Sequence, residues 1–184
     1  MANILELDRA TELPLTELPD IPSFSENYCF DGFDTQVDAG IWLHLGRWPR
    51  NPRLWREQIL LYLPDGEHAV IRAFGDQSAE HGPRGPLMRF ECEEPGRLWR
   101  LIYDGPARRL SLDEMMAGPD THLSEGPFIL VGFDLVFEAV KPAWELGRLD
   151  NENWATFHYE QHGRLSGNIR YDLGDGLQTV AIDG

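Results

Sequence analysis

The sequence predicts an all-β protein, an antiparallel β-barrel or β-sandwich with one short helix. Short apolar runs alternate with a period of two, turn residues separate them at regular intervals, and a single segment has a helical pattern. A length of 184 residues suits one domain. Residues 1–22 hold Pro14, Pro19 and Pro22 among scattered leucines and read as an extended N-terminal arm lying over the domain. Residues 23–184 read as the barrel domain itself.

Strand signals begin at Phe24. Ile41, Leu43 and Leu45 alternate with Trp42, His44 and Gly46. A second run spans Trp55 to Leu63. Asp65-Gly66 then turns the chain into His68 to Phe74, because this dipeptide accepts the positive φ angles of tight turns. Met88, Phe90 and Cys92 share one face of the next strand, and after Pro95-Gly96 a partner runs from Leu98 to Tyr103. Gly82-Pro83 and Gly105-Pro106 are read as turns. Ser111 and Glu114 form a capping box opening a helix of about two turns, with Met115, Met116 and Ala117 inside it and Gly118-Pro119 as its stop. Residues 128–140 make the longest strand, with Ile129, Val131, Phe133, Leu135 and Phe137 on one face. Phe157 to Leu173 and Leu177 to Ile182 form a closing hairpin around Asp175-Gly176.

Composition narrows the function classes. Apolar residues are 42% and aromatics 11%, enough for a sizeable core. A net charge of -15 argues against nucleic acid, whose phosphates need basic partners, and against an anionic membrane surface. Lys141 is the single lysine; the other basic residues are arginine. No apolar run approaches the ~20 residues of a membrane span, and the first residues lack a secretory pattern. The expected compartment is the cytoplasm. Cys29 and Cys92 lie far apart in no metal-like spacing and are compatible with free thiols or one disulfide.

Three groups of residues are candidates for chemistry. His158, Glu160 and His162 share one face of a strand, and two imidazoles with a carboxylate suit a divalent metal. The same alternation, however, puts Phe157, Tyr159, Leu165, Ile169, Tyr171 and Leu173 on the apolar face. That facing puts His158 and Glu160 in solvent or against a second barrel, yet they stay candidate ligand-binding residues with Glu26, Tyr28, Trp42 and His44; neither a metal nor another cofactor is called for. A bulge at Gly163 would reverse that facing locally. Glu26 and Tyr28 open the first strand and are placed to exchange protons at a pocket mouth; the plainer alternative is that Glu26 and Asn27 tie down the arm. Trp42, His44 and Trp48 are candidates to line an apolar lumen, with His44 as the polar handle for a ligand, against the plainer role of a satisfied core histidine. Trp55, Trp99, Trp144 and Trp154 are expected to pack.

Several segments, taken in order, carry a family resemblance. They are Glu26 to Phe30, Leu45 to Arg47 with Arg53 to Trp55, Tyr62 to Gly66, Arg89 to Cys92, Asp104 to Arg108 and His158 to Gly167. The pattern resembles the N-terminal half of the lipocalin-like superfamily that contains hydroxyneurosporene synthase (carotenoid 1,2-hydratase), kievitone hydratase and the AttH-like proteins, most closely a bacterial branch of it. The resemblance implies a lipocalin-like, calycin-type barrel and an apolar isoprenoid, terpenoid or steroid-like small molecule as ligand. It also implies a second lipocalin-like barrel as partner. In such hydratases a buried carboxylic acid protonates an alkene, aromatic faces stabilise the cation and water captures it. The family's C-terminal half carries an Asp-His-x-Trp-Gly type motif, which this chain lacks, so catalysis is expected to need the second barrel. A stand-alone, non-catalytic hydrophobic-ligand barrel is the alternative, and a barrel filled by its own aromatics a third. An ending at Ile182-Asp183-Gly184, beside a strand, is expected to mark a domain boundary.

Overall fold

The computed structural model describes residues 4–48, 51–76, 82–116, 127–146 and 155–184. In order these form β1 (Ile4–Leu5), α1 (Arg9–Glu12), β2 (Asn27–Asp34), β3 (Ala39–Trp48), β4 (Asn51–Leu63), β5 (Glu67–Asp76), β6 (Arg89–Glu94) and β7 (Leu98–Leu110). The rest are α2 (Leu112–Met116), β8 (Phe128–Ala139), β9 (Ala143–Glu145), β10 (Tyr159–Glu160), β11 (Gly163–Asp172) and β12 (Leu177–Asp183). Hydrogen bonding runs β12-β11-β8-β7-β5-β4-β3-β2, every pair antiparallel, with β6 beside β7. This is a nearly closed eight-stranded barrel. A small sheet, β1-β9-β10, is separate from it.

Closure comes from side chains where backbone pairing stops. The Asp183 amide donates to Asp34 Oδ2 at 2.9 Å, which joins β12 to β2. Gly32 on β2 lies so near Leu165 on β11 that an added Cβ would sit 3.1 Å from Leu165 Cδ2. Those contacts remove most of the open edge that an eight-stranded sheet would otherwise expose.

Period-two alternation decides the interior. Ile41, Leu43 and Leu45 of β3, Trp55, Ile59 and Leu61 of β4, and Val131, Phe133 and Leu135 of β8 all belong to one buried cluster. Met88, Phe90 and Cys92 face it as expected. Tyr28, Phe30 and Phe137 pack against that cluster, with Phe30 5.0 Å from Phe90 and 5.4 Å from Phe137. The interior is thus largely filled by rings. Outside, the wall made by β7, β8 and β11 carries exposed ion pairs, Arg100–Asp134, Arg97–Glu138 and Arg170–Asp104. Exposed pairs of this kind contribute little to stability and mainly keep that wall wet.

Some elements differ from expectation. Gly105-Pro106 lies inside β7, which runs on to Leu110. Proline is tolerated there because β7 pairs with β6 and β5 only toward its two ends, so no donor is required on that side. The Tyr103 hydroxyl donates to the Pro106 carbonyl at 2.8 Å. The arm is not wholly extended: it contains β1 and the single helical turn α1, capped by Asp8 Oδ1 accepting from the Thr11 amide at 2.8 Å. α2 has the expected capping box, Ser111 and Glu114 each bonding the other's backbone N–H; its expected stop lies outside the described residues. The closing strand divides into β10 and β11, because Tyr159–Glu160 pairs with β9 instead. Trp55 and Trp99 are buried, whereas Trp144 is exposed on β9 and Trp154 is outside the described residues. No helix among the described residues is long and apolar enough to cross a membrane.

Candidate functional site

The barrel end formed by the start of β2, the end of β3 and the β6–β7 turn gathers acids, phenols and indoles beneath the N-terminal arm. Tyr28 points inward from β2, with Trp55 at 6.3 Å and Trp99 at 6.1 Å between ring centroids. Glu26 lies close enough for its charge to act on the Tyr28 phenol. Glu26 Oε2 accepts from Arg47 Nε at 2.8 Å, and Glu26 Oε1 from the Leu15 amide at 2.7 Å. Arg47 Nη2 donates to the Leu15 carbonyl at 2.9 Å and its guanidinium lies over the Trp55 ring. One arm residue, Leu15, is therefore clamped at both its N–H and its C=O. Burial raises the Glu26 carboxyl above its ordinary range despite Arg47, and burial likewise raises the Tyr28 phenol.

Glu12 completes the group from the arm side. It is 1% exposed. Its Oε1 accepts from the Gly96 amide at 2.9 Å and its Oε2 from the Tyr159 hydroxyl at 2.7 Å. Gly96 holds φ +67° in the β6–β7 turn, a conformation glycine adopts at little cost, and this aims its N–H at the arm. Desolvation raises both the Glu12 carboxyl and the Tyr159 phenol. Cys92 is close by, buried, with its thiol pushed up to about 11 by desolvation. Two carboxyl groups whose pKa values burial raises thus sit near two phenols and an indole-lined interior. Such a set can donate protons to, or hydrogen-bond, the polar end of a largely apolar molecule.

The candidate residues fall in three places. Glu26 and Tyr28 belong to this end of the barrel. Trp42 and His44 do not line the lumen; they lie on the outer face of β3, since Ile41, Leu43 and Leu45 occupy the inner one. There the two rings stack at 5.9 Å, and His44 Nε2 meets Asn27 Oδ1 at 3.0 Å. Desolvation, aided by Arg56, lowers His44 to about 4, so it is neutral near pH 7. Trp48 is also on this outer face, against Phe74 at 5.7 Å and Arg56. His158 and Glu160 form a solvent-facing pair at 3.6 Å, on the polar side of β10 that alternation assigns to them. His162 is exposed too, and β11 starts at Gly163 with Leu165 still inward. The three therefore do not converge, and among the described residues no three His, Cys, Asp or Glu side chains form a metal-ligand group. Cys29 and Cys92 are both free thiols.

Reading the sequence missed Glu12, Tyr159 and Arg47 as members of one site. Asp8 and Thr11 gave a local signal for a helical turn ending at Glu12, but nothing local to Glu12 pointed to Gly96 or Tyr159. Glu57 was also missed. It points into the barrel from β4, fully buried, and Oε2 accepts from the Leu87 and Met88 amides at 3.0 and 2.8 Å. A glutamate in phase with Trp55, Ile59 and Leu61 was the signal for it. Burial raises this carboxyl as well.

No curated protein and no solved structure matches the chain. A family profile described as a domain of unknown function matches residues 10–184, and the chain therefore belongs to the DUF7064 family.

Proposed function

We propose that the chain is an apolar-ligand barrel of the hydratase type, taking an isoprenoid, terpenoid or steroid-like molecule at the arm-covered end. The observation that carries this reading is the gathering of acids and phenols, Glu12 hydrogen-bonded by Tyr159 and Glu26 near Tyr28, with the rings of Trp55 and Trp99 packed against Tyr28. A ligand there meets aromatic faces along its body and proton donors at its head. In this reading a second lipocalin-like barrel supplies the rest of a catalytic centre that adds water to an alkene, and the compartment is the cytoplasm. The test is native mass spectrometry of the full chain with farnesol as probe, alone and with any barrel-sized protein that copurifies. A one-to-one farnesol complex is expected, and mass gain by one water only in the presence of the partner.

A second reading, a stand-alone binding barrel without turnover, is favoured by one specific observation. Both oxygens of Glu12 already accept hydrogen bonds, from Tyr159 and Gly96, so the group is engaged by the protein itself rather than turned toward a ligand. That reading expects the farnesol complex with no water added under any condition.

A further inference from the structure

Glu12 is the one buried residue within residues 6–24. An arm that crosses an aromatic-lined barrel end would ordinarily anchor itself with a leucine or phenylalanine, because apolar burial is what stabilises such contacts. Leu15 of this arm is instead 39% exposed, and the anchor is a carboxylate. The groups receiving it do not belong to the arm: Tyr159 is on β10 and Gly96 in the β6–β7 turn. Each donates to a different oxygen of Glu12, at 2.7 and 2.9 Å. Two donors spaced to meet both oxygens of one carboxylate make a fork-like donor site for that group. Tyr28 is close enough to feel the charge of Glu12 and to act on Tyr159, and its ring lies 6.1 Å from that of Trp99.

We infer that the Tyr159 hydroxyl and the Gly96 amide form a carboxylate subsite, that Glu12 occupies it as an internal ligand, and that the molecule displacing Glu12 is an apolar carboxylic acid. This inference rests on the ligand-binding reading above and narrows its ligand class. Exchange of one carboxylate for another keeps both donors satisfied and leaves the local charge unchanged. A neutral alcohol offers a single oxygen where two are required. The arm then acts as a strap that yields to the acid: α1 lifts away while the β6–β7 turn and β10 stay in place.

The test compares farnesoic acid with farnesol on the full chain, by titration of tryptophan fluorescence. Glu12→Ala empties the subsite, and farnesoic acid is expected to bind this variant about tenfold or more tightly than the wild type, matching one charge-assisted bond regained. Farnesol is expected to change by less than about threefold, and adding Tyr159→Phe to Glu12→Ala should abolish the gain. Farnesol binding with no gain for farnesoic acid in Glu12→Ala overturns the carboxylate subsite and leaves the binding reading intact. If neither compound binds either chain, both fall. Hydrogen exchange on the wild-type chain covers the case in which Glu12→Ala does not fold. Saturating farnesoic acid should then speed exchange at the Thr11 and Leu15 amides while the Gly96 amide stays protected, and unchanged arm exchange overturns the inference.

Discussion

Glu12 and Glu26 show how a residue's neighbours outweigh its intrinsic chemistry. Both carboxyls are hydrogen-bonded, which favours the charged form, yet desolvation is the larger influence on each and raises both. A carboxyl whose native pKa exceeds its unfolded value stabilises the fold below the unfolded value, near 4.5, and that contribution is lost as pH rises through the native value. Glu12→Gln has no such loss. Thermal unfolding should therefore show the variant gaining on the wild type as pH rises above 4.5 and through the raised native value, then holding a constant difference; a gap independent of pH would contradict this. Glu26 was legible as a residue tying down the arm, and its bond to the Leu15 amide is that tie, although Asn27 bonds Ser25 and His44 instead. Glu12 was not legible, because Gly96 and Tyr159 lie 84 and 147 residues away.

At the scale of elements, patterns completed within a strand or a turn were readable from the sequence. The capping box of α2, the inward set of β8 and the face that buries Met88, Phe90 and Cys92 all follow from neighbours a few residues apart. The facing of Trp42 and His44 was equally encoded by alternation. Their chemistry suggested a lumen, but the apolar residues at 41, 43 and 45 had already claimed it. Glu57 joins two elements that sequence cannot connect, β4 and the segment before β6. Glu57→Ala leaves the Leu87 and Met88 amides without their acceptor, and should cost about 2–3 kcal/mol in urea denaturation. Glu57→Gln retains a carbonyl that can accept from both, so its cost should be less than half as large. Equal losses in the two variants would show that packing rather than the hydrogen bonds matters.

For the whole molecule, alternating strands and turns were readable as an antiparallel barrel or sandwich, and the structure is the nearly closed barrel. How the barrel closes was not readable, since the bond between Asp34 and the Asp183 amide joins positions 149 residues apart. Backbone donors from Asp183 and Gln36 hold the Asp34 carboxyl below its ordinary range. Its contribution is present above the unfolded value near 3.8 and is lost as pH falls through the lower native value. Asp34→Ala should lower Tm at neutral pH, and the deficit should shrink in strong acid; an acid-independent deficit would point to lost packing at the seam. The proposed site for an apolar ligand is the arm-covered end and not the outer face of β3. Two-dimensional NMR of the tryptophan indole N–H groups during farnesol titration tests this most directly. Shifts at Trp55 and Trp99 with Trp42 and Trp144 unmoved are the predicted result. Shifts confined to Trp42, or none at saturating farnesol, would contradict it.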